Sequence, residues 1–118
     1  MSFEFISAGK IVFGCGKAAA LPSLCRPLGR HFLVVSDKAL DSTGLPGRIC
    51  DALNSSGLKV TAFPRVSGEP TVDLVEDAVA LARTSRCDAT LGVGGGSSID
   101  TAKAAAAMLQ NTGDIVDY

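Results

Sequence analysis

Three short runs of branched apolar residues recur along this chain at nearly equal spacing, and that spacing restricts the fold more than any other feature. The runs lie at residues 32–36, 58–63 and 89–93, and their centres are 27 and 29 residues apart. This is the length of a strand, a crossover helix and the next strand in a β-α-β unit. The sequence therefore predicts an α/β fold, with a Rossmann-like parallel sheet flanked by helices.

Stretches of helical length and pattern separate the predicted strands. Residues 45–56 end before Gly57, a residue suited to a left-handed C-terminal cap. The next helix is predicted to begin after Thr71, an N-cap, with acidic residues in its early turns. An alanine-rich helix is predicted from Ser98 to about Leu109 because alanine has the highest helix propensity.

The N-terminal segment carries two weaker patterns. Alternation at residues 3–6 and an apolar run at residues 10–13 favour a small strand pair. Residues 14–19 fit G-x-G-x-x-A, and together with Asp37 about twenty positions later they resemble the dinucleotide fingerprint. Because the preceding run is short and Pro22 interrupts the helix that should follow, we interpret this glycine pair as a structural turn.

Charge and hydropathy exclude several classes of protein. Eleven Lys and Arg against twelve Asp and Glu give a net charge of −1, too little for an electrostatic grip on nucleic acid or an anionic membrane. No stretch reaches the ~20 consecutive apolar residues of a membrane span, and the N-terminus lacks the pattern of a secretion signal. We therefore expect one cytoplasmic domain that binds neither nucleic acid nor membranes.

The cysteines and the histidine do not form a metal-binding pattern. Cys15, Cys25, Cys50 and Cys87 contain no C-x-x-C pair, so we interpret them as reduced thiols. His31 is the only histidine, and a site built on several imidazoles cannot be assembled from this chain alone.

A run of glycines carries the strongest signal for chemistry. Gly94, Gly95 and Gly96, followed by Ser97 and Ser98, join a predicted strand to a predicted helix. Glycine allows a ligand to approach the backbone closely, and the free N–H groups and dipole at a helix start bind anions. The turn therefore predicts a phosphate or pyrophosphate site, although it is not a P-loop because no Gly-Lys-Ser/Thr follows.

A purely structural reading of this turn stays open. Ser97 and Asp100 have the S-x-x-D spacing of a capping box, which would satisfy the same N–H groups without a ligand. Capping leaves the triple glycine unexplained.

Asp37 is predicted to lie at the same edge as the glycine turn. It ends the first predicted strand, and the carboxyl ends of parallel strands share one edge, where the loop at residues 64–71 and Gly94 to Ser98 also arrive. A carboxylate there accepts both ribose hydroxyls and repels a 2′-phosphate, which favours NAD over NADP. The alternative is that Asp37 caps the following turn.

Several segments occur in an order that resembles the iron-containing (group III) alcohol dehydrogenases over essentially the whole chain. The most specific is the G-G-G-S-x-x-D-x-x-K element at residues 94–103. The others are individually weak: Val12–Gly16, Leu33–Asp37, Glu69–Thr71 and Gly113–Asp114 before Tyr118.

This resemblance implies that residues 1–118 are the NAD(P)-binding N-terminal domain, a truncated dehydroquinate synthase-like domain, of a metal-dependent oxidoreductase. The parent enzyme would interconvert small alcohols and aldehydes or ketones. By analogy, the contacts are Asp37 with the adenosine ribose, Gly95, Gly96 and Ser97 with the pyrophosphate, and Asp100 toward the nicotinamide.

The resemblance also implies what these 118 residues lack. In the family, Fe or Zn is held by an aspartate and histidines of a helical second half, so we expect the chain alone to be inactive. Homo-oligomers are a further expectation, because a face left by a missing domain favours self-association. The residues themselves leave two other classes open: a freestanding nucleotide- or phosphate-binding module without catalytic activity, and a structural α/β domain.

Overall fold

The fold is an α/β arrangement around a parallel sheet, as predicted. The computed structural model describes Ser2 and residues 9–118. In this part of the chain, three strands form one sheet in the order β2-β1-β3, with all pairs parallel. The strands are β1 (His31–Asp37), β2 (Lys59–Val66) and β3 (Ala89–Val93), and the α-helices are α1 (Leu21–Cys25), α2 (Leu45–Ser55), α3 (Val72–Thr84) and α4 (Gly96–Gln110).

Helices α2 and α3 have the ends that the sequence predicts. Gly57, two residues after α2, has φ +84, the left-handed conformation expected of a glycine cap. The Thr71 hydroxyl accepts a hydrogen bond from the Leu74 N–H at 3.2 Å and caps α3, with Asp73 in its first turn. The end of α2 and the start of α3 are therefore determined locally, by backbone conformation and by capping.

The central strand β1 separates two apolar clusters. Leu33 and Val35 face α3 and α4, whereas Phe32 and Val34 face α1 and α2. All four side chains are at most 1% exposed. The two crossovers lie on opposite faces because both are right-handed and β2 and β3 are added on opposite sides of β1.

Strand β2 continues three residues beyond its predicted end. It runs through Pro64 to Val66, with an irregular register against β1 between Val35 and Asp37. Proline lacks an N–H group and is tolerated there because β2 is an edge strand and the register is broken at that point.

The N-terminal predictions have mixed outcomes. Residues 10–13 are exposed and form no strand, so that half of the predicted pair is wrong; a two-stranded unit is marginal on its own. Its other half, residues 3–6, lies outside the described residues. Gly14 and Gly16 have φ +145 and +73, and the Lys17 N–H donates to the Gly14 carbonyl at 3.3 Å, so these residues form a turn.

No helix in the described part of the chain has both the length and the hydropathy of a membrane span.

Candidate functional site

The carboxyl edge of the sheet brings together the two segments singled out in the sequence. Ser36 of β1 is paired with Val93 of β3, so Asp37 and Gly94 leave adjacent strands side by side. The strand order reverses at this point, since β2 lies on the other side of β1. Open α/β sheets bind ligands in the crevice formed at such a reversal.

At two positions near the turn, the structure of the chain itself requires glycine. A Cβ on Gly92 would stand 2.9 Å from the Ile99 Cα, so glycine lets α4 pack closely on β3. Gly94 has φ +133, and a Cβ there would lie 3.1 Å from Leu40 Cδ1 and from Ser98 Oγ. The sequence assigned Gly94 to the ligand turn and did not reveal the packing role of either glycine.

At the next two positions, Gly95 and Gly96, the structure of the chain does not require glycine. Neither Gly95 nor Gly96 has a positive φ, and a Cβ built on either meets no atom within 4 Å among the described residues. Neither conformation nor internal packing therefore requires glycine at these positions. What they provide is open backbone at the start of α4, which a ligand can approach closely.

Helix α4 begins at the turn with its N–H groups available. Its N-cap is Gly95, no described side chain caps it, and its first turn contains no acidic residue. The first helical hydrogen bond is donated by the Ile99 N–H to the Gly95 carbonyl at 3.2 Å. The N–H groups of Gly96, Ser97 and Ser98 precede that bond and, with the positive end of the helix dipole, form an anion site.

The capping box considered from the sequence does not form. The helix starts two residues earlier than predicted, so Ser97 lies inside its first turn instead of preceding it. The Ser97 carbonyl accepts the Thr101 hydroxyl at 2.7 Å. Asp100 is exposed, and its carboxylate lies 3.9 Å from the Lys103 ammonium.

The Ser98 hydroxyl lies beneath the turn without a partner. The residue is 1% exposed, and among the described residues nothing is placed to hydrogen-bond to its Oγ. A buried hydroxyl without a partner is unfavourable by about 1–3 kcal/mol. This unpartnered hydroxyl lies next to Gly94, at the turn itself.

Asp37 caps the turn that follows β1. Its Oδ1 accepts the Ala39 N–H at 2.7 Å at the start of a 3-10 segment, Lys38–Thr43. The capping alternative is therefore confirmed for this oxygen, while the described residues give Oδ2 no hydrogen-bond partner. The carboxylate is half-buried and one oxygen remains for a ligand.

The remaining polar residues do not assemble a metal centre. In the described ranges, no three His, Cys, Asp or Glu side chains come together as metal ligands. His31 Nε2 instead forms a hydrogen bond with Thr61 Oγ1 at 2.8 Å. The described residues therefore do not provide a set of ligands for a metal ion.

The cysteines of this chain are free thiols in its described part. Burial raises the pKa of the Cys25, Cys50 and Cys87 thiols, whereas Cys15 is exposed.

Comparison with known proteins places this arrangement among relatives. Residues 8–118 match the family model described as iron-containing alcohol dehydrogenase. The chain is 36% identical over 120 residues to Long-chain-alcohol dehydrogenase 1 of Geobacillus thermodenitrificans (strain NG80-2), a match that covers 96% of this chain and 30% of that protein.

Solved structures agree with the sequence comparison. The crystal structure of NADH-dependent butanol dehydrogenase A from Thermotoga maritima superposes with a TM-score of 0.89 at 32% identity, covering 98% of this chain and 30% of the other. Sulfoacetaldehyde reductase from Bifidobacterium kashiwanohense, solved in complex with NAD+, gives a TM-score of 0.85 at 28% identity and covers 100% and 31%. The chain thus spans about 30% of the length of the relatives it matches.

Proposed function

The chain belongs to the iron-containing alcohol dehydrogenase family, and from this premise we propose that it forms the dinucleotide-binding part of an enzyme that transfers hydride between NAD and a small alcohol or aldehyde. On this proposal residues 1–118 are the N-terminal NAD(P)-binding domain, and they bind without catalysing. Two similar proteins support the cofactor class: one is an NADH-dependent butanol dehydrogenase, and the other was solved in complex with NAD+.

The observation that carries the proposal is the open backbone at Gly95 and Gly96. Glycine at these positions serves no conformational or packing need within the described chain, and a Cβ on either residue would enter open space where α4 starts. A pyrophosphate placed there would accept hydrogen bonds from Gly96, Ser97 and Ser98 and interact favourably with the helix dipole. Gly94 would shape the turn, and the unpartnered Ser98 hydroxyl adds a polar group beneath it.

Asp37 is proposed to select the ribose. Its Oδ2 is directed to no partner in the described residues, so it would accept a ribose hydroxyl while Oδ1 holds the turn. The same negative charge would repel the 2′-phosphate of NADP and favour NAD. Asp100, one turn into α4, would lie toward the nicotinamide end.

The chemistry comes from the cofactor when it is bound, because the nicotinamide ring donates or accepts the hydride. The residues of this chain would hold the pyrophosphate and the adenosine ribose and so fix the direction of the dinucleotide. Substrate binding and any metal chemistry would belong to parts of the parent protein other than the described residues, so we expect no dehydrogenase turnover from these 118 residues.

Titration of the 15N-labelled chain with NAD+ tests the proposal. We expect the amide resonances of Gly95 to Ser98 and of Ala39 to shift together and to saturate at millimolar cofactor. Unchanged resonances at the turn at the highest NAD+ concentration would refute dinucleotide binding. Shifts with inorganic phosphate equal to those with NAD+ would indicate a phosphate module instead.

A matched set of alanine substitutions separates ligand contact from backbone effects. Gly95→Ala and Gly96→Ala should each weaken NAD+ binding by about tenfold or more, because a methyl group would occupy the space in front of the N–H groups. Gly47→Ala in α2 is the control, since a Cβ there also meets nothing within 4 Å. Equal affinities in all three variants would contradict the proposal.

A second variant tests the ribose assignment. Asp37→Ser keeps an oxygen that can accept the Ala39 N–H but removes the charge. We expect NADP+ to gain affinity relative to NAD+ in this variant. An unchanged NAD+ to NADP+ ratio would remove Asp37 from the site and leave the pyrophosphate assignment standing.

A further inference from the structure

The amino edge of the sheet, opposite the glycine turn, carries a basic cavity. The cavity is about 500 Å³ and is lined by Arg30, Lys59 and Arg86, together with His31 and Asp88. These residues precede β1, start β2 and precede β3, so the parallel strands bring them to one edge. A second hollow next to it shares Arg30 and adds a fourth cation, Arg26. We call these four cations the amino-edge cluster.

Arg86 occupies a backbone position that favours glycine. It has φ +59 and is the one non-glycine residue with a positive φ in the described part of the chain. It follows the end of α3, where the Cys87 N–H donates to the Ala82 carbonyl at 2.8 Å and the Arg86 N–H donates to the Arg83 carbonyl at 3.1 Å. These bonds define a Schellman motif with arginine at the left-handed position.

Helix α2 ends in the same motif with glycine in that position. The Leu58 N–H donates to the Leu53 carbonyl at 3.1 Å, and the Gly57 N–H donates to the Asn54 carbonyl at 3.0 Å. Gly57 and Arg86 line the same cavity. The chain therefore uses the unstrained residue at one helix end and a strained arginine at the other.

The positive charge at this edge exceeds what the nearby backbone requires. The C-terminal ends of α2 and α3 each carry a partial negative charge of about one half. Asp88 is the single carboxylate among the lining residues of the two hollows. Four cations are thus opposed by roughly two negative charges, and none of the four forms a salt bridge within the described residues.

Asp88 is already committed to the backbone. Its Oδ1 accepts the N–H groups of Arg30 and His31, both at 2.9 Å, and Oδ2 lies 3.2 Å from the Arg30 nitrogen. The carboxylate thus fixes the start of β1. Arg26 Nη2 donates a hydrogen bond to the Ser56 carbonyl at 3.1 Å. The side chains of Arg30, Lys59 and Arg86 have no such partner among the described residues and are available to contact a ligand.

We propose that the amino-edge cluster binds a small anion with two or more phosphate or carboxylate groups. Arginine recognises such groups through paired hydrogen bonds, and cations contributed by separate segments match a ligand with several charges. The cavity has the volume of a small-molecule site. It is separate from the dinucleotide edge by the length of β3, about 17 Å for five residues.

A site-resolved titration with inorganic diphosphate and with citrate tests this proposal. We expect the amides of Arg30, Lys59 and Arg86 to shift with at least one anion at millimolar concentration, with affinity that falls as salt is added. Shifts with diphosphate alone would assign a phosphate ligand, and shifts with citrate as well would assign carboxylates too. The absence of saturable shifts at this edge with both anions would overturn the proposal.

The variant Arg86→Gly removes the guanidinium while giving the position its preferred residue, so loss of folding is not expected. It should weaken anion binding by at least about tenfold. Arg48→Gln, which removes an exposed positive charge outside both hollows, should leave the affinity unchanged. If Arg86 only neutralises the end of α3, Arg86→Gly would lower stability and keep the anion affinity, which would refute the binding role. NAD+ shifts at the glycine turn should persist in both variants, which keeps this test independent of the proposed function.

Discussion

The two Schellman motifs make opposite predictions for stability when glycine is added or removed. A non-glycine residue in the left-handed region is unfavourable by roughly 1–2 kcal/mol, and glycine loses about 0.5–1 kcal/mol through the entropy of the unfolded chain. Gly57→Ala should therefore destabilise the chain by about 1 kcal/mol. At position 86, both Arg86→Gly and Arg86→Ala remove the guanidinium. The difference in unfolding free energy between these two variants therefore isolates the same backbone effect.

We expect Arg86→Gly to be more stable than Arg86→Ala by about 1 kcal/mol, which corresponds to roughly 4 °C in midpoint temperature for a domain of this size. Urea unfolding followed by circular dichroism measures the difference, and the slope with urea should stay constant among the variants. Equal stabilities within about 0.3 kcal/mol would show that position 86 is not held in the left-handed conformation in solution.

Three further outcomes follow from the described contacts. Gly92→Ala should destabilise the fold by about 1–3 kcal/mol, because its Cβ would meet the α4 backbone at 2.9 Å; a wild-type urea midpoint would contradict this. Iodoacetamide at pH 8 should modify exposed Cys15 faster than Cys25, whose thiol pKa is raised by burial, as read by peptide mass spectrometry; equal rates would contradict the burial. The pKa of Asp88 lies below its ordinary value, chiefly because its carboxylate accepts the backbone N–H of His31. The ionised Asp88 therefore stabilises the fold above about pH 4, the ordinary pKa of an unfolded aspartate. This stabilisation is lost as the pH falls through the lower pKa of the folded state. Asp88→Asn should flatten that acid limb of the stability profile, and an unchanged limb would exclude Asp88 as its source.

The sequence predicted the fold well where local rules decide the structure. Strand spacing predicted the parallel sheet, and the caps at Thr71 and Gly57 predicted the ends of two helices. It failed where tertiary context decides, because the edge position of β2 allows Pro64 to remain in the strand. Residues 10–13 were predicted as a strand from a short apolar run alone, which is insufficient for a strand pair without further packing.

The candidate site was predicted in position but not in detail. Spacing placed Asp37 and the glycine turn at one edge, as the pairing of β1 and β3 confirms. The sequence could not separate Gly92, needed for packing, and Gly94, needed for φ, from Gly95 and Gly96, because these reasons depend on neighbours in space. Nor did it mark the amino-edge cluster, whose cations are dispersed along the chain.

Because β3 is an edge strand of the sheet, the isolated chain has a tendency to associate through it. In the described part of the chain, β3 pairs with β1 on one side, so its outer backbone is available to another strand. Exposed edge strands pair with strands of neighbouring molecules. Storage at high concentration should therefore favour β-rich assemblies, and thioflavin T fluorescence over days would reveal them before a titration is disturbed.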